Sequence, residues 1–281
     1  NSFIETAKIE AVKYINGVND INVQLSGRFL EILLNDRVIN NTQNLNNTTE
    51  NNCRNLVNNF AINPSVSSRK IPKVRLGEAH GLGKKYIMQV TGEELMTELY
   101  TLAKQDELSI RLRYDFVNDE IIFEVWQGLD RTDKQTTNTF AIFSRNFENI
   151  LDDNYSMDST KQKNFAYVYG EGEGEQRFLI EVDNTNGKER KELYVDARDL
   201  QQDDMTLNEY KDALRNRGIE KLNECNKVET SDFQIDPFSN LIYGKDFDLG
   251  DLCTYKNEEL GILIDNRIVE ISEVYENGNK K

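Results

Sequence analysis

The sequence predicts an α+β fold: an α+β lobe followed by a β-barrel-like lobe that carries one helical insertion. Three observations predict it. Apolar residues recur at helical spacing over residues 48–63 and 91–103, and strand-like runs flank both stretches. Past residue 128, short runs of β-branched and aromatic residues dominate. A single helix signal, Thr206-Leu207-Asn208-Glu209, interrupts them. The division that follows is 1–26 as the end of an N-terminal β domain, 27–128 as a peripheral α+β domain, and 129–281 as a barrel-like domain with its helical insertion at about 203–225. The opening at Asn1, without Met and directly in strand-like residues, reads as the edge of a longer protein.

Residues 4–14 and 21–26 flank the turn-rich Asn16-Gly17-Val18-Asn19-Asp20 and read as a hairpin. Ser26 is placed to cap a short helix with Phe29, Leu30, Leu33 and Leu34 inward, and 40–47 reads as a polar loop. Cys53, Leu56, Val57, Phe60 and Ala61 fall at i, i+3, i+4, i+7 and i+8, an amphipathic helix that stops before Pro64. Residues 71–76 and 86–90 are strands around a loop. Thr91-Gly92-Glu93-Glu94 reads as a capping box for a helix with Leu95, Met96, Leu99, Leu102 and Ala103 inside. Leu108, Ile110, Leu112 and Tyr114 alternate with Ser109, Arg111 and Arg113, and 121–126 returns after Asn118-Asp119 as the second strand of a hairpin. The later strands are 140–143, 150–157, 165–169, 178–182 and 193–195. The helix opened at Thr206 turns Ala213, Leu214 and Leu222 inward. Strands at 233–235, 249–255 and 262–274 follow, then a polar tail over 276–281.

Composition narrows the function. The chain has 281 residues with 38% apolar and 9% aromatic content, enough for real cores. Its formal charge of -15 argues against a nucleic-acid binder, which needs clustered Lys and Arg. A negative wall repels passing polyanions instead. No apolar run reaches the roughly 20 residues of a membrane helix, and the start shows no signal-peptide pattern. Cys53, Cys225 and Cys253 are odd in number and far apart, which fits reduced thiols and neither a disulfide framework nor a zinc site.

The stretch NFAYVYGEGEGEQR, Asn164 through Arg177, stands out. A strand-like run passes into Glu171-Gly172-Glu173-Gly174-Glu175, and on an extended backbone the carboxylates of Glu171, Glu173 and Glu175 would project to one side about 7 Å apart. Such an edge faces water, a cation or a basic partner, as an acid-rimmed hairpin. A glycosidase needs two carboxylates about 5 to 9 Å apart, for which Glu171, Glu173, Glu175 and Asp152-Asp153 qualify by type. A chain with 49 acids offers such pairs by chance, so no catalytic residue is assigned. Calcium wants six to eight oxygens and the EF-hand pattern is absent, so no metal and no cofactor is expected. Residues 77–85, GEAHGLGKK, fail the phosphate-loop pattern: the glycine spacing is wrong, no Ser or Thr follows Lys84, and a strand comes next. His80, the sole histidine, has no nucleophile signature beside it and reads as a surface residue. Trp126, Tyr167 and Tyr169 read as core packing before a sugar platform. Arg111 and Arg113 share one strand face, and Arg131, Arg177, Arg190 and Arg198 are scattered near acids; they read as ordinary surface pairs, with inter-subunit pairing as the other reading.

Six stretches in order carry a resemblance: Ser26-Gly27-Arg28-Phe29-Leu30, Gly128-Leu129-Asp130-Arg131-Thr132, Phe143-Ser144 with Asn149-Ile150, Asn164 to Val168 running into Gly170-Glu171-Gly172-Glu173-Gly174, Leu193-Tyr194-Val195-Asp196-Ala197-Arg198, and Leu249-Gly250-Asp251. Together they resemble the tail-hub proteins of tailed bacteriophages and prophages, the class related to trimeric baseplate hubs and to the N-terminal structural part of tail-associated lysins. The resemblance implies a non-enzymatic homotrimeric ring around a central channel in the virion tail, made in the host cytoplasm. It also implies β-barrel-like tube domains with α+β domains outside, and as partners a distal tail protein, a tape-measure protein and a spike or fibre. Residues 3–26 would be all that remains of the family's first tube domain. The Glu171, Glu173 and Glu175 loop is then expected at the channel or between subunits. The other readings are a cell-wall hydrolase fragment and a carbohydrate- or calcium-binding adhesion module.

Overall fold

The computed structural model describes residues 6–16, 21–236, 238–276 and 279–280; the first expected strand's opening residues, the expected turn at 17–20 and parts of the polar tail lie outside the described residues. The fold is α+β. The chain forms two compact units: Asn1–Trp126 with Phe165–Asn184 and Leu193–Lys221, and Gln127–Asn164 with Thr185–Glu192 and Leu222–Lys281.

In the first unit, β1 (Ala7–Asn16) and β2 (Ile21–Phe29) form an antiparallel two-stranded sheet. Strand β2 runs through Ser26 to Phe29, so Ser26 caps nothing, and the helix α1 (Ile32–Asn35) starts later with Ile32 and Leu34 buried. The asparagine-rich segment expected as a loop is a strand, β3 (Gln43–Thr48), that buries only Leu45 and keeps polar side chains outward. Thr48 caps α2 (Thr49–Val57), accepting from the Asn51 backbone N–H at 3.4 Å, and the helix widens into a π turn over Asn58–Ile62. Next come β4 (Val74–Leu76), β5 (Lys85–Val90), α3 (Leu95–Gln105), β6 (Ser109–Asp115) and β7 (Glu120–Trp126). Strand β5 pairs antiparallel with β3, and β7 sits between parallel β4 and antiparallel β6.

The box expected at Thr91 does not form. Glu94 stands at the N-cap without a side-chain cap, and Gly92 has φ +79°. The Leu95 N–H donates to the Arg37 carbonyl at 2.8 Å, so a neighbouring segment satisfies the helix start. Leu34, Cys53, Leu56, Val57, Leu95, Leu99, Leu102 and Phe123 form the buried centre between these helices and sheets. Each fully buried side chain of this kind contributes about 1.5–3 kcal/mol by leaving water.

The remaining elements are β8 (Ile142–Phe143), β9 (Ile150–Asp158), β10 (Phe165–Tyr169), β11 (Leu179–Asp183), β12 (Glu192–Asp196), α4 (Leu207–Glu224), β13 (Val228–Ile235), β14 (Leu252–Asn257), β15 (Ile262–Arg267), β16 (Tyr275–Glu276) and β17 (Asn279–Lys280). The sheet β11-β10-β12 and most of α4 belong to the first unit, although the strand-rich pattern groups them with the later segments. The physical reason is a polar joint on β5: buried Gln89 accepts from the Gln201 N–H at 3.2 Å, and Asn216 of α4 donates to the Ile87 carbonyl at 3.0 Å. Helix α4 rests directly on its sheet, because a Cβ at Gly218 would stand 2.7 Å from Val168 and Val182. Its capping box forms as expected: the Thr206 N–H donates to Glu209 at 2.9 Å, and the Glu209 N–H to the Thr206 hydroxyl at 3.3 Å.

In the second unit β9 pairs antiparallel with β13, and β14 lies between antiparallel β15 and parallel β8. Ala141, Phe143, Ile150, Phe247, Cys253 and Tyr255 are its buried core. The barrel-like lobe expected from the late strands is not closed: among the described residues these strands form separate two- and three-stranded sheets.

Candidate functional site

The acid-glycine stretch does join two antiparallel strands, β10 and β11, but not as an extended rim. Gly172 and Gly174 take φ +106° and +54°, and a short 3-10 turn covers Gly174–Gln176. The three carboxylates therefore do not line one edge. Glu171 is half-buried and accepts from the Gln202 N–H at 3.3 Å, while Glu173 and Glu175 are exposed. The loop's base is pinned by Tyr210, fully buried on α4, whose hydroxyl accepts from the Glu171 N–H at 2.8 Å and donates to the Leu200 carbonyl at 3.2 Å. A side chain at Gly170 would collide with that hydroxyl, which is why glycine stands there.

The centre of this acidic loop is a cation. The Arg177 side chain is 11% exposed and donates to the Gly170 carbonyl at 3.0 Å, the Tyr194 hydroxyl at 2.9 Å and Asp196 at 2.7 Å. Its guanidinium lies 5.4 Å from the Tyr169 ring centre, and that ring packs on Tyr194 at 5.2 Å. Arg198 and then Arg177 bond Asp196 and hold its carboxyl down at about 2. Tyr169, Gly172, Glu173, Gly174, Arg177, Tyr194 and Arg198 line an open hollow of about 600 Å³. Reading the sequence for acids missed this cluster. The available signal is the spacing of Tyr194 and Asp196, which puts both on one face of β12, with Arg198 in the turn that follows reaching back to Asp196.

The second unit holds a tighter site. Asp251 is 2% exposed and accepts from the Leu129 N–H at 2.7 Å, the Asp248 N–H at 2.9 Å and Arg131 Nε at 2.5 Å. Gly128 stands against the Gly250 carbonyl, where any Cβ would collide. Two of the stretches that carry the resemblance, 128–132 and 249–251, thus meet in a buried ion pair, and Arg131 is no surface arginine. Another does the same locally: Asn149 accepts from the Ser144 N–H at 2.9 Å and donates to the Ile142 carbonyl at 2.8 Å.

The other candidates resolve as structure. Asp153 accepts from Tyr255, from Asn257 at 2.8 Å and from Arg145, and the Tyr255 hydroxyl leads the bonds that hold its carboxyl below the usual range. A charged, bonded aspartate of this kind is no general acid. His80 is exposed, and its N–H donates to buried Glu50, which also accepts from the Leu82 N–H at 2.8 Å. Trp126 lies under Arg111, 5.3 Å from its ring centre. The three cysteines are free thiols, and burial pushes the Cys253 thiol up to about 12. Among the described residues no group of three or more His, Cys, Asp or Glu is placed to hold a metal ion. No helix among them is long and apolar enough to cross a membrane.

This fold is shared with phage tail proteins. The tail protein from Neisseria meningitidis MC58 matches with TM-score 0.55 at 15% identity, over 93% of this chain and 73% of its own. Prophage tail protein gp18 from Listeria monocytogenes EGD-e matches at 0.51 and 11% identity, over 94% and 71%. The 43 kDa tail protein of prophage MuSo2 from Shewanella oneidensis matches at 0.51 and 14% identity, over 92% and 71%. No curated protein sequence matches. The chain belongs to the family of Siphovirus ReqiPepy6 Gp37-like proteins, whose family model matches residues 5–281.

Proposed function

We propose that this chain is a structural subunit of a phage or prophage tail tip or baseplate hub, one of three copies in a ring around the channel for DNA and the tape-measure protein. It joins the tail tube, through a distal tail protein, to a spike or fibre. The observation that carries this reading is the family match over nearly the whole chain together with a fold shared with tail proteins. Two physical features support it. The motifs that carry the resemblance build joints, the Asp251–Arg131 pair and the Arg177 loop, and present no convergent catalytic carboxylates. The net charge of -15 suits a wall past which a polyanion must slide without binding. In this reading exposed Glu173 and Glu175 add to the negative surface of the channel or of the contact between subunits, and the protein turns over no substrate.

Copy number in assembled tails tests it. Quantitative mass spectrometry of purified tails, with cryo-electron microscopy of the tip, is expected to give three copies in a closed ring at the distal end. A single copy per tail, or a position along the shaft, overturns the hub reading and leaves the family assignment untouched.

A further inference from the structure

The hollow above Arg177 is lined by hydrogen-bond donors that the protein itself does not use. Arg177 spends four of its five N–H groups internally: Nε on the Gly170 carbonyl, Nη1 on the Tyr194 hydroxyl, and Nη2 on the Tyr169 carbonyl and on Asp196. Arg198 meets Asp196 through Nε at 3.0 Å and Nη2 at 2.6 Å, so its Nη1 end bonds nothing among the described residues, and its side chain is 67% exposed. Tyr194 is 61% exposed, and its hydroxyl accepts from Arg177 while giving its own proton to no described residue. The backbone N–H groups of Gly172, Glu173 and Gly174 also find no acceptor among the described residues. All of these residues line the same hollow, and Glu173 is the one free carboxylate among them. Asp196 is already taken, because both of its oxygens accept from arginine. Two guanidiniums and that single carboxylate leave the cluster at +1.

We infer that this hollow is a docking site for a carboxylate carried on a peptide segment of another protein chain. Free donors outnumber free acceptors, so a fitting ligand brings oxygens of its own, and an apolar or cationic one would leave the donors unpaired. The unused hydrogens at the Nη1 and Nη2 end of Arg198 form a fork, which matches the two oxygens of a planar carboxylate. Beside these donors the Tyr169 and Tyr194 rings, 5.2 Å apart, supply apolar surface for the hydrocarbon part of a peptide. Charge sets the limit from the other side. The cluster is only +1, Glu173 stands exposed on the rim and the whole chain carries -15, so a single carboxylate is admitted where a phosphate polymer is repelled. A volume of about 600 Å³ lies within the range of small-ligand sites. The inference stands on these side chains and not on the ring, so it and the hub reading fail separately.

Amide NMR titration of the whole chain tests it with three probes: N-acetylphenylalanine, which ends in a free carboxylate, N-acetylglutamyl-phenylalaninamide, whose carboxylate is on a side chain, and N-acetylphenylalaninamide, which has none. Both carboxylate probes are expected to move the N–H signals of residues 172–174 and of Arg198 Nε saturably, with Kd on the order of 1 mM, and the neutral amide to bind at least about tenfold more weakly. The tighter of the two carboxylates tells a chain terminus from an acidic side chain as the natural ligand. Arg198→Gln is expected to weaken binding at least about tenfold, and Glu173→Gln, which removes the rim charge, to tighten it about two- to fivefold. Local damage to the loop would weaken both, so the opposite signs are the diagnostic result. Equal binding of the neutral amide, or an affinity that Arg198→Gln leaves unchanged, overturns the carboxylate assignment. Inorganic phosphate or a short oligonucleotide that moves the same signals at lower concentration than either carboxylate makes this a phosphate site and overturns the peptide ligand. Signals that stay still up to about 20 mM of every probe overturn the site altogether.

Discussion

Each compact unit holds an enclosed arginine bonded to an aspartate, and the two pairs differ in what surrounds the acid. The arginines are equally enclosed, with Arg177 and Arg131 side chains both 11% exposed. The aspartates are not: the Asp196 side chain is 36% exposed, that of Asp251 3%. Asp196 shares itself between two arginines at a wet loop, whereas Asp251 bonds one arginine and two backbone N–H groups out of water. The same chemistry therefore serves two ends. In the loop it sets geometry, since a screened pair contributes little energy; in the second unit it locks a joint, since a buried charge left alone is expensive.

The largest test removes the buried acid. Asp251→Ala is expected to destabilise the protein by about 3–5 kcal/mol, because Arg131 loses its partner while still enclosed and two N–H groups lose their acceptor. Calorimetric unfolding checks this, and Asp196→Ala serves as the internal standard with a loss several times smaller. Equal losses would erase the distinction between the two pairs.

Much of this architecture is legible in the sequence, and the exceptions have physical causes. The apolar faces of α2 and α3 follow helical spacing, and the Thr206 capping box closes as written, because both depend on neighbours within one turn. Strand β3 hid behind asparagines because only Leu45 faces inward. Thr91 matched the capping pattern, yet the Arg37 carbonyl, more than 50 residues earlier, satisfies the helix start instead. The acid-glycine alternation suggested an extended rim, whereas two positive-φ glycines fold it around Arg177. The Asp251 joint spans a sequence separation of 120, which no local pattern encodes. The resemblance to tail proteins was legible in both halves of that joint, although their meeting was not.

Glu98 sharpens the comparison from the other side, as a carboxyl buried without a guanidinium bonded to it. It lies on the inner face of α3, 8% exposed, and burial first and Glu220 second push its carboxyl up to about 7; Arg217 and Lys221 oppose the shift and Glu93 adds to it. A folded value above the unfolded one near 4.3 means that the native state holds its proton longer. Stability from this group is then fully present below about pH 4 and declines as the pH rises to about 7, by at most about 3 kcal/mol. Urea unfolding across that range should show the decline, and Glu98→Gln should flatten it. A slope unchanged in the variant would mean that Glu98 is well paired as an anion.

The smallest effect belongs to the exposed pair and runs in the opposite direction. Arg198 and Arg177 hold the Asp196 carboxyl at about 2, below its unfolded value, so the loop keeps their contribution above about pH 4 and loses it as the pH falls through about 2. Near-ultraviolet circular dichroism, which reports the packed Tyr169 and Tyr194 rings, should change over that acid interval in the wild type and lose the change in Asp196→Asn. Glu173→Gln, on the exposed rim of the same hollow, should leave both the acid transition and the melting temperature within about 1 °C of wild type, as expected for a surface charge without a structural bond. A larger response to Glu173→Gln would show that the rim, and not the arginine beneath it, holds the loop in shape.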